Sequence, residues 1–302
     1  MMELGMVGLG RMGANMAQRL ARQGHSVIGQ DPDPQARRRI EDEGLRSVAD
    51  LPALVQALAA PRVLWLMVPA GAAVDETLDA LLPLLGPGDT IIDGGNSNYR
   101  DTTRRARRLE DAGLHFVDCG TSGGVWGLAE GYSMMVGGEA ETVERLRPIF
   151  EALAPAPDQG WGHVGPVGAG HFTKMVHNGI EYGLMQAYAE GFAILHHKKD
   201  FALDLPQVAE SWRTGSVVRS WLLDLTARAL ADDPSMAGLQ PWVDDSGEGR
   251  WTVAEAIDLD VPAPVITQAL IARLQSRDGE AFADRLLAAM RHQFGGHPVK
   301  TA

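Results

Sequence analysis

Three side chains able to move protons and grip a small molecule recur at helical spacing just past the middle of the chain. The stretch from Gly165 to Tyr182 reads GPVGAGHFTKMVHNGIEY. From Ala169 onward its pattern predicts one amphipathic helix. Lys174, Asn178 and Glu181 stand at i, i+4 and i+7 on one face, with His177 and Tyr182 flanking them. A long amine, an amide and a carboxylate so placed can reach one substrate-sized volume. Glycines at 165, 168 and 170 leave the helix entry almost bare, so a ligand or another backbone can come close. Taken alone, the same residues also describe a surface helix carrying a lysine–glutamate pair. The apparatus around them favours chemistry.

The first part of that apparatus is at the N-terminus. Leu4–Val7 reads as a short apolar strand running into Gly8-Leu9-Gly10-Arg11-Met12-Gly13, then a helical pattern to about Gln23, then a second strand over His25–Gly29 ending at Gln30-Asp31. Strand, G-x-G-x-x-G, helix, strand and an acidic residue roughly 20 positions on make up the dinucleotide fingerprint in its required context. The glycines permit the tight turn, the approach of a pyrophosphate and close helix–strand packing, and the helix N-terminus faces the negative charge. Asp31 can accept both ribose hydroxyls of NAD and repels the 2′-phosphate of NADP. Pro32 offers no cationic fork for that phosphate. Arg37, Arg38 and Arg39 read as a solvated helix face that can still reach over, so NAD is favoured over NADP.

Alternation of strands and helices continues through Arg62–Val68, Thr90–Asp93, His115–Cys119 and Tyr132–Val136. This predicts an α/β fold whose N-terminal domain is a Rossmann-like, doubly wound and mostly parallel sheet. Ligands of such sheets sit at the carboxyl ends of the strands, so Val68-Pro69-Ala70, Gly95-Asn96 and Thr121-Ser122-Gly123-Gly124 are expected to converge. The arginine-rich helix with Arg104, Arg105, Arg107 and Arg108 reads as a wet outer face. Past Gly170 the strands stop, and helices are expected over about 170–197, 206–231 and 262–290. The expected domains are therefore 1–165 for the dinucleotide and 166–302, all-helical, for substrate and dimerisation. The tail from Arg291 reads as a loop leaving its domain.

Bulk composition narrows the partners. Lys plus Arg number 27 against 39 Asp plus Glu, a net charge of −12. A field of that sign argues against nucleic acid and anionic membrane, so an anionic substrate must meet local cations. One cysteine, Cys119, permits no internal disulfide and fits a reducing cytoplasm. MMELGMVGLG has no basic leader region, and no stretch supplies the roughly 18 apolar residues of a membrane span. No metal is expected, because His196-His197 point to different helix faces and Asp244-Asp245 read as loop carboxylates.

With these residues in view, the chain resembles the β-hydroxyacid dehydrogenase superfamily and, within it, the 6-phosphogluconate dehydrogenase family. The match rests on Gly8–Gly13, Val68-Pro69-Ala70-Gly71, Ser122-Gly123-Gly124 and, most specifically, KMVHNGIEYG from Lys174. Two later blocks agree, Asp244-Asp245-Ser246-Gly247-Glu248-Gly249-Arg250-Trp251-Thr252 and the tail Arg291…Phe294-Gly295-Gly296-His297. The resemblance implies oxidative decarboxylation of 6-phospho-D-gluconate to D-ribulose 5-phosphate and CO2 with reduction of NAD, a pentose phosphate pathway step. It implies Lys174 as base and later acid, and Glu181 as the acid that protonates C1. It implies that Ser122, Gly123, Gly124, His177 and Asn178 hold the sugar acid beside Asn96, and that Tyr182 and Arg273 hold its phosphate. Arg291 and His297 would reach in from a neighbouring subunit of a homodimer or homotetramer. The cofactor set it implies is Gly8, Leu9, Gly10, Arg11, Met12, Gly13, Asp31, Val68, Pro69, Ala70 and Asn96.

The chain departs from the family's longer members, which carry a lysine where it has Ser246 and a threonine where it has Glu248; Arg250 can substitute in part. It also lacks their extra helical repeat. The implied chemistry is consistent with the side chains. A lysine acts as base only when neutral, so its pKa must fall from about 10.4 toward neutrality. Once protonated it can stabilise a developing enolate oxygen. His177 reads equally well as a packed histidine, and Arg273 as a solvated one. Two other readings stand beside this one. One is a non-decarboxylating 3-hydroxy acid dehydrogenase, which has no need of Glu181. The other is a catalytically idle dinucleotide-binding protein, for which Lys174, Asn178 and Glu181 have no use.

Overall fold

Eight strands join in one sheet in the computed structural model, which describes residues 1–295 and 298–300. They are β1 (Glu3–Val7), β2 (Ser26–Gln30), β3 (Arg46–Val48), β4 (Val63–Leu66), β5 (Thr90–Asp93), β6 (His115–Ser122), β7 (Ser133–Gly137) and β8 (Trp161–Gly165). Their order is β3-β2-β1-β4-β5-β6-β7-β8, parallel except for the antiparallel pair β6 and β7. Helices α1 (Arg11–Arg22), α2 (Pro34–Glu41), α3 (Leu51–Ala57), α4 (Ala72–Leu81), α5 (Tyr99–Asp111), α6 (Gly127–Glu130) and α7 (Ala140–Leu153) cross between strands. The doubly wound α/β fold expected from the alternation is the one observed.

Successive residues of these strands feed different cores, because side chains alternate across a pleated strand. Leu4 and Met6 of β1, Trp65 of β4, Ile92 of β5 and Val117 of β6 pack in one cluster with Met16 and Leu20 of α1. Val7, Leu64, Leu66, Ile91 and Phe116 pack in the other with Leu78 of α4 and Leu109 of α5. With both faces covered, the strands read as continuous apolar runs. Each fully buried large side chain contributes about 1.5–3 kcal/mol. The chain order reverses between β1 and β4, so the loops after those two strands open a crevice at the sheet's carboxyl edge.

The fold divides into two units, Met1–His177 and Asn178–Ala302, and α8 (Ala169–His197) passes from one to the other. The second unit holds α9 (Leu205–Trp212), α10 (Trp221–Asp232), α11 (Glu248–Asp258), α12 (Pro264–Gln275) and α13 (Phe282–Gly295). Phe192, Leu205, Ala209, Leu223, Ala227 and Leu230 form one helical core. Tyr182, Ala269 and Leu270 form another with Val253 and Leu274.

Several boundaries differ from expectation. The helix expected over 206–231 is two, broken where Gly215 turns with φ of +74° and Ser220 caps α10. The helix expected over 262–290 is also two, because the Asp278 carboxylate accepts the Glu280 and Ala281 N–H groups and re-starts the chain as α13. That helix runs on through Arg291, where a loop was expected. Strands β3 and β8 were not foreseen. The first is three residues long and partly exposed, and the second, WGHVG, is glycine-rich and unburied, so neither carries an apolar signal.

Candidate active site

The crevice at the switch point is a cavity of about 780 Å³. Its floor is the glycine turn, and Gly8, Gly10, Arg11, Met12 and Gly13 all line it. Gly8 sits at φ of +91°, and a Cβ on Gly13 would stand 2.0 Å from the Gly8 carbonyl oxygen, so this turn tolerates no side chain at either place. A Cβ on Gly10, by contrast, would meet nothing within 4 Å. Asp33, Asp50 and Asn98 cap α2, α3 and α5 through their side chains, but Gly10 leaves the first turn of α1 uncapped. Bare N–H groups at an open helix N-terminus suit a pyrophosphate. Leu9 differs from its neighbours: its side chain is in the core and only its backbone belongs to the turn.

Asp31 also lines the cavity and is itself held by two backbone donors. Its Oδ2 accepts the Leu9 N–H at 2.8 Å and its Oδ1 accepts the Asp33 N–H at 2.9 Å. The carboxylate thus braces the middle of the glycine turn to the end of β2, with a lone pair on each oxygen left for a ligand. Val68 and Pro69 line the opposite wall; Ala70 is exposed and does not. Glu76 and Thr77 of α4 line it as well. Both were missed because a helix following V-P-A-G reads as a plain amphipathic crossover.

Asn96 reaches the same cavity from the loop after β5. It occupies the left-handed region at φ of +52°, and its amide exchanges two hydrogen bonds with the Thr121 backbone, at 3.0 and 3.3 Å. The loop is held from below by Asp93, which accepts the Gly95 N–H at 3.0 Å and the Ser97 hydroxyl at 2.8 Å. Arg105 corrects the expectation of a wet arginine face. It is 2% exposed, donates to both oxygens of Asp75 and to the Gly71 carbonyl, and lies 3.8 Å from Asp93. One buried cation therefore ties the loops after β4 and β5 together.

Lys174 is seated by the start of α8. Asp118 on β6, fully buried, accepts the Gly168 N–H and the His171 N–H, each at 2.7 Å, and so caps the helix. Close approach needs glycines. A Cβ on Gly170 would stand 2.5–2.8 Å from backbone atoms of Met135, Asp118 and Gly137, and one on Gly120 would stand 2.3 Å from the Lys174 Cβ. Lys174 is 5% exposed, with its amine 3.4 Å from His177 Nδ1. The stem of Lys174 thus packs one residue away from Thr121, which lines the cavity. Ser122 ends β6, and Gly123 and Gly124 turn away with φ of +133° and +50°. Because α8 is one helix, positions 174, 178 and 181 keep the expected spacing.

In the second unit a polar cluster surrounds Tyr182. The Tyr182 hydroxyl donates to Asp245 at 3.3 Å and lies 3.3 Å from the Ser246 hydroxyl. The Arg273 guanidinium sits 3.5 Å from the ring centroid and donates to the Asp244 carbonyl at 2.8 Å, so it is stacked rather than merely solvated. Asp245 is the hub: Arg250 donates to it and Arg277 lies 3.9 Å away. Burial alone would push its carboxyl up, but the Arg250 and Gly247 hydrogen bonds hold it below the ordinary range. Glu248 is buried with one carboxylate oxygen unpartnered. A Cβ on Gly249 would stand 2.4 Å from the Tyr182 ring, so only a glycine there lets the first turn of α11 pack on that ring. Asp245 and Arg277 were not foreseen as partners, since loop charges carry no periodic signal. Arg291 is on the exposed α13, and His297 lies outside the described residues.

Residues 3–165 match the NAD binding domain of 6-phosphogluconate dehydrogenase, and residues 170–293 match its C-terminal domain. The chain belongs to the 6-phosphogluconate dehydrogenase family. Within that family it is 44% identical over 299 residues to the NAD(+)-dependent, decarboxylating 6-phosphogluconate dehydrogenase of Haloferax volcanii, covering 99% of this chain and 98% of that one. It is 38% identical over 288 residues to the NADP(+)-dependent, decarboxylating enzyme of Bacillus subtilis, covering 91% of this chain and 61% of that one. Among solved structures, Plasmodium falciparum 6-phosphogluconate dehydrogenase superposes with a TM-score of 0.84 at 29% identity, over 99% of this chain and 66% of that one. Family members thus carry both NAD and NADP in their names. The chain is an oxidoreductase of this family with an NAD(P)-binding domain, and no helix among the described residues is long and apolar enough to cross a membrane.

Proposed function

We propose that the protein oxidises and decarboxylates 6-phospho-D-gluconate to D-ribulose 5-phosphate and CO2, with NAD preferred and no metal required. The observation that carries this reading is the buried Lys174 side chain, whose stem the Asp118-capped start of α8 seats against Gly120, next to Thr121 of the cavity lining. Such enclosure is what a lysine base needs. The nicotinamide, when bound, supplies the hydride acceptor. Lys174 takes the proton of the C3 hydroxyl, with His177 beside its amine, and in its ammonium form holds the oxygen on which charge develops as CO2 leaves. Glu181, two turns along the same helix, then gives a proton to C1. Asn96, Ser122, Gly123, Gly124, His177 and Asn178 orient the sugar acid. Tyr182, Arg273 and Arg250 take its phosphate, with Ser246 in place of the longer members' lysine.

The helical half, residues 166–302, carries the substrate and the subunit contact. The exposed Leu286, Leu287 and Met290 along α13 support a homo-oligomer in which Arg291 and His297 are delivered to a neighbour. The single, free Cys119 supports a cytoplasmic location, and the cationic Arg250 and Arg273 beside Tyr182 support a phosphorylated sugar acid as substrate. Initial rates with 6-phosphogluconate, NAD against NADP, with and without a chelator and with CO2 trapped, test the whole reading. NADH formed without CO2 would leave a simple 3-hydroxy acid dehydrogenase instead, and Lys174→Ala with full turnover would remove the base.

A further inference from the structure

Arg105 stands behind the dinucleotide cavity and does not line it. It joins two pieces of the wall instead. Pro69 and Ala73 line the cavity from the chain that follows β4, and Gly94, Gly95 and Asn96 line it from the loop after β5. On the first side, Arg105 Nε and Nη2 each donate to Asp75 at 2.9 Å, and Nη2 also donates to the Gly71 carbonyl at 2.9 Å. On the second side, Nη1 donates to the Ser97 hydroxyl at 3.2 Å, and that hydroxyl donates in turn to Asp93 Oδ2 at 2.8 Å. Asp93 Oδ1 accepts the Gly95 N–H. Both chain neighbours of Asn96 are therefore fixed by Asp93, and Ser97 by Arg105 as well. Asn96 itself sits in the left-handed region at φ of +52°. A residue other than glycine keeps such a conformation where its surroundings over-determine it.

We propose that Arg105 is a positioning residue for the nicotinamide half of the bound dinucleotide, acting through Ser97 and Asp93 on Asn96. The half it serves follows from the order of the strands. Asp31 follows β2 and Asn96 follows β5, on opposite sides of the glycine turn after β1. A dinucleotide with its pyrophosphate on that turn and its adenosine ribose at Asp31 extends its other half past Asn96, toward β6 and Lys174. All of these residues belong to the unit Met1–His177. A buried ion cluster is weak support for stability, because desolvation offsets the attraction. The planar fork of a guanidinium does, however, fix distance and direction on several acceptors at once, which a lysine cannot do. Asn96 spends one amide N–H on the Thr121 carbonyl and keeps the second for the ligand. Where that N–H points is then set by a cation that never touches the ligand. The effect on cofactor binding needs only the dinucleotide site, while the effect on turnover rests on the proposed oxidation of 6-phosphogluconate.

NAD and AMP, which share the adenosine end and differ in the nicotinamide half, separate positioning from general damage in calorimetric titrations of the full chain. Arg105→Lys keeps the charge between Asp75 and Asp93 and loses the fork. It is expected to weaken NAD roughly tenfold and to leave AMP within about twofold, because the Leu9–Asp31 brace does not involve Arg105. With 6-phosphogluconate deuterated at C3, the same variant is expected to show a larger primary isotope effect on kcat/KM than the wild type. A misaligned nicotinamide slows the hydride step and leaves it more fully rate-limiting. NAD and AMP weakened alike, neither weakened, or an unchanged isotope effect overturns the proposal. Should Arg105→Lys fail to fold, Ser97→Ala decides, since it cuts the link to the Asn96 loop and spares the Asp75 and Gly71 contacts. It weakens NAD several-fold with AMP unmoved, or the proposal is wrong. The titrations contain no sugar acid, so a wild-type protein that fails to turn over 6-phosphogluconate counts against the proposed activity, and NAD against AMP alone then decides the role of Arg105.

Discussion

Gly120→Ala tests whether the seat of Lys174 against β6 sets the rate. A methyl group at position 120 would stand 2.3 Å from the Lys174 Cβ and 2.8 Å from the Gly170 carbonyl oxygen. Both obstacles belong to α8 at or next to its backbone, so neither can rotate out of the way as the tip of a long side chain would. Restoring an ordinary contact of 3.4 Å from 2.3 Å requires the helix to retreat by about 1.1 Å. A misplacement near 1 Å costs roughly 10²-fold in rate, and the overpacking itself costs about 1–3 kcal/mol of stability. The dinucleotide turn follows β1, three strands away in the sheet, and is expected to keep its affinity. The assay is kcat with 6-phosphogluconate and NAD, read beside the NAD dissociation constant from a fluorescence titration. A 10²-fold loss of kcat with NAD binding retained is the expected split. An unchanged kcat would refute the reasoning, because the amine would then tolerate the displacement that the geometry forces.

Further perturbations follow from the same contacts. Asp118→Ala strands two buried N–H groups, at about 1–3 kcal/mol each, and should lower the urea unfolding free energy by about 3 kcal/mol or more; Asp118→Asn, with one oxygen left, should lose about half of that. Equal stability of all three proteins would mean that the cap is idle. Hydrogen bonds from Arg105, with help from Arg104 and against partial burial, hold the Asp75 carboxyl at about 2, below its ordinary 3.8. Because this folded-state pKa is depressed, the stability it contributes is complete above about pH 4 and is lost as pH falls toward 2. With a third of the side chain exposed, screening leaves on the order of 1 kcal/mol. Asp75→Asn should flatten that acid limb, and an unchanged slope in acid titrations of unfolding would exclude the pair as its source. Deleting the chain from Arg291 should raise KM for 6-phosphogluconate about tenfold or more, the loss of at least one charge-assisted contact; unaltered steady-state kinetics would show that the tail does not enter a site.

Local chemistry made much of the molecule readable in advance. The glycine turn, Asp31 and the strand–helix alternation are short-range signals, because tight turns, helix starts and buried strands each restrict the residues at fixed offsets. The long helix with Lys174, Asn178 and Glu181 was legible for the same reason. Reading failed where the signal was weak or non-local. The three-residue β3 and the glycine-rich β8 bury too little to show a period. Arg105 looked like its neighbours Arg104 and Arg108 on a charged helix, yet it alone turns to Asp93 and Gly71 in the core.

Residue types and their spacing therefore determined which groups this protein has for chemistry and which nucleotide-binding turn it builds, since both are written within a few consecutive positions. Only the tertiary structure decided what holds them. Asp118 reaches 50 residues along the chain to cap α8, Asp31 reaches back 22 to brace Leu9, and Gly120 yields its side-chain space to Lys174. Such pairings depend on where the sheet brings distant segments together, and a buried N–H or a missing methyl leaves no periodic mark in the sequence by which to find its partner.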